Sequence, residues 1–225
     1  MPILTGELRG TKWLIASSNR SCWIGTYELR TQELLKRLLR PGDIFYDLGA
    51  QAGFYALLSA KLVGTSGQVI AVEPLPRNVD FLRCHLQVNH VQNVTVLCAA
   101  LSDRIGVHRF DTSPGWLGCH LSDVGDLQVQ TYSLDELTFH EGYPPPSVVK
   151  IDVEGAEIDI LHGARQTLHD LRPIILLSTH ERLRPGVQGC CLQLLAANGY
   201  EVLPLGGTSG PLDDPQFLAR PVNAT

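Results

Sequence analysis

The sequence predicts an α/β fold: a doubly wound, Rossmann-like sheet of parallel strands with helices on both faces. After residue 40, short apolar runs alternate with segments of helical periodicity, which is the pattern of consecutive strand–helix units. Several of these segments stop at a glycine or before a proline. The chain has 225 residues and is 44% hydrophobic, which suits one domain with a substantial core.

The predicted elements follow one another along the chain. The first strand, DIFYDLG, is short and apolar and breaks at Gly49. The helix after it, FYALLSAKLV, stops at Gly64. The later elements, in order, are strand GQVIAVEP, helix RNVDFLRCHLQVN, strand VTVLCAAL, strand PSVVKIDV, helix AEIDILHGARQTLHDL, strand PIILLSTH, helix CCLQLLAANG and strand YEVLPL.

Two stretches depart from this alternation. Residues 1–40 contain KWLIAS, which we predict to be an edge strand or hairpin, and then a helix, TQELLKRLL. We expect this extension to pack on the core formed by residues 41–225, so that the chain is a single globular domain. Residues 104–135 alternate polar and apolar positions, which predicts a β-hairpin insertion.

Composition and motifs exclude several classes of function. The net charge of -5 and the lack of a [DN]PP[YF] motif argue against a nucleic-acid partner, and no apolar run is long enough to span a bilayer. The first residues lack the pattern of a signal peptide, and the six cysteines show no CxxC or disulfide spacing. We therefore expect a reduced, cytoplasmic protein without a membrane partner.

The ends of the first two strands predict a cofactor site, since ligands of open α/β sheets bind outside the carboxyl ends of the strands. Gly49 and Gly53 allow a ligand to approach the backbone where the next helix begins. Glu73 ends the second strand, where a carboxylate can accept two hydrogen bonds from a ribose diol.

The glycine loop distinguishes between two cofactor classes. Nicotinamide cofactors use GxGxxG, but here the middle glycine is missing and Asp47 precedes the loop. An acid at that position repels a pyrophosphate and suits the positive charges of S-adenosylmethionine. An NAD(P)-dependent oxidoreductase stays the first alternative, and a methyltransferase-like binding module without activity is the second.

These residues carry a family resemblance. The segments FYDLGAQAGFYALL, AVEPLPRN, AALSD, SLDEL, VVKIDVEGAEIDILHGA and RPIILLSTH resemble, in order and spacing, the FkbM-type family of S-adenosylmethionine-dependent O-methyltransferases. The resemblance covers roughly residues 24–200. It implies a class I methyltransferase fold, with PQFLARP as an antiparallel seventh strand, and methyl transfer to a hydroxyl of a small molecule, sugar or glycan.

The resemblance also implies roles for individual residues. Asp47, Gly49 and Gly53 are expected to line the methionine part of the cofactor, and Glu73 to hold the ribose. Ala50 and Pro74 belong to the same cofactor site, and Ser102 and Asp103 are expected near the adenine. The sequence departs from the family pattern at three positions, since Asn is common at 51, Thr at 56 and Glu at 178, where this chain has Gln51, Ala56 and Ser178.

The segment KIDVEGAE predicts the acceptor site. We expect Asp152 to approach the cofactor methyl and the acceptor, as general base or as the electrostatic partner of the sulfonium, and Glu154 to bind acceptor hydroxyls or act with it. His180, at the end of the next strand, is the best histidine for a general base. We expect Glu157 to stabilise the dipole of the following helix, and Lys150 to point away from Asp152.

Other residues complete the expectations. Tyr27 and Glu28 are expected to close over the cofactor or acceptor, and Trp116 to cover the acceptor pocket. Asp152 with His180 lacks a third ligand of suitable spacing, so we predict no metal site. The sequence identifies neither the acceptor nor the oligomeric state, a homodimer being one arrangement that it allows. The remaining histidines share no spacing and are interpreted as solvated or packed: His85, His90, His108, His120, His140, His162 and His169.

Overall fold

The computed structural model describes residues 1–113, 120–122, 124–206 and 214–222. They form two compact units, Met1–Cys98 and Ala99–Thr225. The helices are α1 (Arg20–Ile24), α2 (Leu29–Leu38), α3 (Phe54–Val63), α4 (Pro76–Val88), α5 (Leu134–Phe139), α6 (Glu157–His162) and α7 (Val187–Ala197). The strands are β1 (Ile44–Leu48), β2 (Gln68–Val72), β3 (Val94–Leu97), β4 (Ala100–Leu101), β5 (Gly106–Asp111), β6 (His120–Leu121), β7 (Leu127–Tyr132), β8 (Val148–Ile151), β9 (Ile174–Ser178), β10 (Tyr200–Pro204) and β11 (Gln216–Pro221).

The first unit is built on three parallel strands. β1 pairs with β2, and β2 pairs with β3, so that Leu48 lies opposite Val72, and Val72 opposite Leu97. The carboxyl ends of these strands therefore lie at one edge of the sheet. The loop after β1 and the residue after β2, which is Glu73, are neighbours there.

Helices α3 and α4 cover this sheet for different reasons. All residues of α3 except Lys61 and Leu62 are buried, which is the expected environment of a helix that is apolar on every side. α4 is amphipathic and begins with Pro76 at its first turn, where a missing backbone N–H costs nothing. Gly53 lies between them with φ +91, and a Cβ there would come within 2.8 Å of Leu82 Cγ on α4.

The N-terminal residues form no strand over KWLIAS, but a short antiparallel, hairpin-like pairing is present. The amide of Trp13 donates to the carbonyl of Met1 at 2.7 Å, and Lys12 makes an isolated antiparallel bridge with Pro2. Ile15–Ser17 form a 3-10 turn. The chain turns back through Gly6 and Gly10, whose φ values lie in the left-handed region. The Trp13 side chain after this turn is buried. The predicted helix TQELLKRLL is confirmed and begins two residues earlier, at Leu29.

The second unit contains the remaining long strands. β8 and β9 are parallel, so their carboxyl ends also share an edge. β11 is antiparallel to both β9 and β10, which confirms the antiparallel strand expected over PQFLARP. The predicted insertion hairpin is present as β5 and β7, which are antiparallel and belong to a four-stranded sheet of order β4-β7-β5-β6.

Two predicted elements are interrupted. VTVLCAAL contains two strands, because β3 pairs with β2 whereas β4 pairs with β7. The helix predicted over 156–171 ends at His162 and resumes as a π-helical turn at Thr167–Leu171. Gly163 lies at the break. A Cβ at this position would lie 2.4 Å from the carbonyl oxygen of Ser102, so the close approach requires glycine. Within the described ranges, no helix has the length and apolar character needed to cross a membrane.

Candidate active site

The glycine loop after β1 is fixed to the end of β2. The amides of Gly49 and Ala50 donate to the carbonyl of Val72 at 3.0 and 3.1 Å. Gly49 and Gly53 have φ values of +83 and +91, so glycine is required for this path of the backbone. Gln51 shares the left-handed region at φ 46, although it carries a side chain.

Glu73 connects this loop to the start of α4. Its Oε2 accepts from the amide of Gln51 at 2.9 Å, and its Oε1 accepts from the amide of Leu75 at 3.1 Å and from Asn78 Nδ2 at 3.0 Å. Burial raises the pKa of Glu73, while these three hydrogen bonds oppose the shift. A carboxylate accepts about four hydrogen bonds, so one acceptor position at Oε2 is left for a ligand.

Other predicted cofactor residues are distributed over both units. Asp47 is fully buried in β1, and Pro74 follows Glu73. In the second unit Ser102 is buried. Its amide donates to the carbonyl oxygen of Tyr132 at 2.9 Å, and its hydroxyl donates to the exposed carboxylate of Asp103 at 3.2 Å. The predicted acceptor residue Trp116 lies outside the described residues.

Tyr27 and Glu28 contact the helix that follows the glycine loop. The Tyr55 hydroxyl donates to Glu28 Oε2 at 2.6 Å, and the Tyr27 ring packs against the rings of Phe54 and Tyr55 at centroid distances of 5.4 and 5.8 Å. Burial raises the pKa of Tyr55, so its hydroxyl stays a hydrogen-bond donor. Within the first unit, both predicted residues therefore brace the beginning of α3.

His85 is a packed residue that also supports the loop. Its Nδ1 lies 2.8 Å from the carbonyl oxygen of Ala52, and its Nε2 lies 3.0 Å from the amide of Leu14. Because an amide can only donate, Nε2 is the acceptor and Nδ1 carries the proton. The ring stacks on Trp13 at 3.9 Å, and burial lowers the pKa of His85. The imidazole is thus a neutral link between the loop and the N-terminal residues.

The ends of β8 and β9 bring acids and a histidine together. We call this group the acidic cluster, and it consists of Asp152, Glu154, Glu157, His180 and Asp214. His180 is at its centre: Nδ1 lies 2.5 Å from Glu157 Oε1, and Nε2 lies 3.6, 3.7 and 3.6 Å from carboxylate oxygens of Asp152, Glu154 and Asp214. The predicted residues Asp152, Glu154 and His180 therefore lie side by side in this unit.

Lys150 lies next to the acidic cluster, and the prediction that it points away from Asp152 is wrong. Lys150 Nζ lies 2.9 Å from Asp152 Oδ2, and the lysine side chain is 4% exposed. Residues two apart on a strand share a face, and the pairing follows from that period. Ser178 adds a hydroxyl hydrogen bond to Asp152 where the family commonly has a glutamate.

Glu157 begins α6, as expected of an acid that interacts with the helix dipole, and it makes further contacts. It lies in the first turn of α6, but its side chain is 0% exposed, and Oε1 accepts from the Gly155 amide at 3.0 Å as well as from His180. Among the described residues, Oε2 of Glu157 accepts no hydrogen bond. The charge of Glu157 is therefore balanced mainly by the His180 ring, which sequence reasoning did not foresee.

The charges in the cluster set the protonation states. Burial acts to lower the pKa of His180, but the bond to Glu157 and the charges of Asp152, Glu157 and Glu154 raise it to about 9. Burial acts to raise the pKa of Asp152, and Lys150 and His180 bring it below the ordinary value. Burial raises the pKa of Glu154, with Asp152 and Asp214 adding to the shift and His180 opposing it. At neutral pH, His180 is a cation and a hydrogen-bond donor.

The turn that presents Glu154 is strained. Glu154 has φ 55 and Gly155 φ 98, so two consecutive residues occupy the left-handed region. For a residue with a Cβ this conformation costs roughly 1–2 kcal/mol, and such strain concentrates at functional sites. Within the described part of the chain, no three His, Cys, Asp or Glu side chains have an arrangement that could hold a metal ion.

The chain belongs to the family described as methyltransferase FkbM domain, whose model matches residues 47–202. Two relatives are methyltransferases. The hexuronic acid methyltransferase AglP of Haloferax volcanii is 31% identical over 150 residues, which are 64% of this chain and 61% of AglP. The 2-O-methyltransferase NoeI of Sinorhizobium fredii is 26% identical over 175 residues, which are 69% of this chain and 71% of NoeI. The matched part thus spans about three fifths of the AglP length.

Solved structures confirm the predicted fold class, a class I methyltransferase α/β fold. The precorrin-6y C5,15-methyltransferase of Geobacter metallireducens is similar with a TM-score of 0.58 at 16% identity, over 93% of this chain and 94% of that one. The fibrillarin of Aeropyrum pernix, solved with natively bound S-adenosyl-L-methionine, is similar with a TM-score of 0.54 at 15% identity, over 84% and 73% of the two chains.

Proposed function

We propose that this chain is an S-adenosylmethionine-dependent O-methyltransferase that methylates a hydroxyl of a sugar, free or within a glycan. The observation that carries the proposal is the buried Glu73 carboxylate, bonded to the glycine loop and retaining one acceptor position. Family membership and the sugar-directed names of AglP and NoeI support the reaction and the acceptor class. They do not favour an oxidoreductase.

The first unit offers groups that fit the cofactor. The open acceptor position of Glu73 suits one ribose hydroxyl, and the Gly49 and Gly53 backbone allows close approach. Asp47 suits the positively charged methionine part, and Ala50 and Pro74 stay proposed cofactor contacts. In the second unit, Ser102 and Asp103 stay proposed adenine contacts. When bound, S-adenosylmethionine supplies an electrophilic methyl group. Tyr27 and Glu28 act through α3, which they brace behind the loop.

In the second unit the acidic cluster supplies the groups for the acceptor. A hydroxyl is a weak nucleophile until its proton is removed, and general-base help contributes on the order of 10²–10⁴-fold. His180 is protonated at neutral pH, because its pKa is about 9, so a carboxylate must take the proton. The raised pKa of Glu154 makes it the better base, whereas Asp152 stays ionised and orients the acceptor.

In the proposed step, the acceptor hydroxyl transfers its proton to a carboxylate of the acidic cluster. The acceptor oxygen gains the methyl group and loses its proton to Glu154, while His180 and Lys150 hold Asp152 in place. Bound S-adenosylmethionine would supply the methyl group by cleavage of its sulfur–methyl bond, which would give S-adenosylhomocysteine, and Glu154 would release the proton to water. This assignment gives the role of base to Glu154, whereas the sequence suggested Asp152 or His180 for that role and Glu154 mainly for binding acceptor hydroxyls.

Binding and turnover test the proposal together. Calorimetry should show binding of S-adenosylmethionine and S-adenosylhomocysteine, and none of NAD or NADP. Incubation with a panel of hydroxylated sugars should then form S-adenosylhomocysteine and an O-methylated product by mass spectrometry. Binding of NAD alone would overturn the cofactor assignment, and methyl transfer only to nitrogen or sulfur nucleophiles would overturn the reaction.

A further inference from the structure

The part of the acidic cluster that solvent reaches consists of carboxylates. The side chains of Asp152, Glu154 and Asp214 are 21%, 26% and 27% exposed. The cations behind them are nearly covered, at 6% for His180 and 4% for Lys150. A ligand that enters therefore meets negative charge first.

The geometry around His180 points to a ligand among these carboxylates. Its Nε2 is about equally far from all three acids, at 3.6 to 3.7 Å, which is beyond hydrogen-bond distance. The residue is 5% exposed and charged at neutral pH, so Nε2 carries a proton that faces these three acids. This N–H can donate to a ligand oxygen that is held between the surrounding acids.

One more cation lies nearby and does not change the balance. Arg182 approaches Asp214 at 3.5 Å, but its side chain is 61% exposed, so solvent screens much of its charge. A carboxylate on the ligand would lie close to two or three like charges, whereas each uncharged hydroxyl could donate a charge-assisted hydrogen bond to one of them.

We propose that the acceptor is an uncharged sugar and that the carboxylates of Asp152, Glu154 and Asp214 reject a uronic acid. The inference rests on the proposed function and narrows its substrate class. It separates this chain from the relative AglP, which is named for a hexuronic acid. The discriminating feature is charge at the site, which overall sequence similarity does not report.

Matched pairs of acceptors test the inference: methyl glucoside against methyl glucuronide, and methyl galactoside against methyl galacturonide. We expect kcat/KM to favour the uncharged member by about tenfold or more, the scale of a like-charge contact of about 1.4 kcal/mol. Asp214→Asn should reduce this ratio several-fold, mainly through a lower KM for the acid. Asp159→Asn is the matched control, because Asp159 pairs with Arg184 and not with His180.

The outcomes are distinct. Equal or better use of the uronide by the unaltered protein would overturn the inference and leave the proposed function standing. Methyl transfer to no sugar of the panel and to no member of these pairs, by protein that binds S-adenosylmethionine, would contradict both. Asp214→Glu, which keeps the charge, should preserve the preference, and thermal melting of each variant would show whether it is folded. A ratio unchanged in folded Asp214→Asn would remove Asp214 from the discrimination and overturn the inference as stated.

Discussion

The imidazole Nδ1 of His180 lies 2.5 Å from the fully buried Oε1 of Glu157. Each group compensates the charge of the other in a place that water hardly reaches. The pair joins the end of β9 to the first turn of α6 and orients the face of His180 that looks toward Asp152, Glu154 and Asp214.

Because of this pair, we expect the free energy of unfolding to fall as the pH becomes alkaline. The folded-state pKa of His180, about 9, lies above the unfolded value, so its contribution is complete below about pH 6.5 and is lost as pH rises through 9. The shift corresponds to on the order of 2–4 kcal/mol. Urea unfolding between pH 6 and 10 should show this decline, and Glu157→Gln should flatten it. His169→Gln, at an exposed histidine, should leave the slope unaltered; a flat profile in the natural protein would refute the pair's role.

Glu154→Gln should lower kcat by about 10² or more while the affinity for S-adenosylmethionine changes little, because the change removes a proton acceptor and keeps the shape. Asp152→Asn should also lower kcat, and it should raise KM for the acceptor, since Lys150 and His180 then lose the carboxylate that they orient. Steady-state kinetics over a range of pH separates the two. If Glu154→Gln retains full turnover, the base is Asp152.

Glu154→Gly should be more stable than the natural protein by about 1 kcal/mol, although it is less active, because glycine relieves the left-handed strain at φ 55. Chemical denaturation measures the difference. Gly155→Ala is the opposite control and should destabilise, since its φ of 98 disfavours any Cβ. A loss of stability in Glu154→Gly would show that the side chain contributes more than its strain costs.

Glu73→Gln should weaken cofactor binding and reduce stability by roughly 1–3 kcal/mol. All three protein partners of Glu73 are donors, so an amide nitrogen at one of its positions would face another N–H. Calorimetry and denaturation report the two effects separately. Asp80→Asn, at an exposed acid of the following helix α4, is the control and should change neither. Unaltered affinity in Glu73→Gln would show that this acid does not contact the cofactor.

Much of the fold could be predicted because the local sequence patterns agree with the burial and bounds of the elements in the folded protein. Helix α3 has the predicted bounds, since its apolar run starts after Gly53 and ends before Gly64. The need for glycine at position 163 could not be predicted, because it comes from the close carbonyl oxygen of Ser102, which lies far away in the sequence. For the same reason VTVLCAAL reads as one strand, although its two halves pair with different partners.

The site was predictable to the extent that its residues end strands. Asp152 and His180 follow β8 and β9, and their proximity follows from parallel pairing. Asp214 lies just before the antiparallel strand β11, and nothing near it in the sequence marks it. Glu157 pairs with His180, which is distant in the sequence. The sequence therefore does not distinguish an exposed acid at the start of a helix from a buried partner of an ion pair. The protonation of His180 likewise depends on acids that only the fold assembles.

Residues outside the homologous segment support the glycine loop, and the hydrogen bonds of His85 are one example. The family match begins at residue 47, yet the amide that His85 binds is that of Leu14, and the acceptor for Tyr55 is Glu28. At the other end the match stops at residue 202, before β11, which pairs with β9. A fragment trimmed to the homologous segment would expose an apolar edge strand and remove the supports of the glycine loop. The homologous segment of this chain is therefore shorter than the segment that contains these contacts, and recombinant fragments should extend beyond residues 47–202 on both sides.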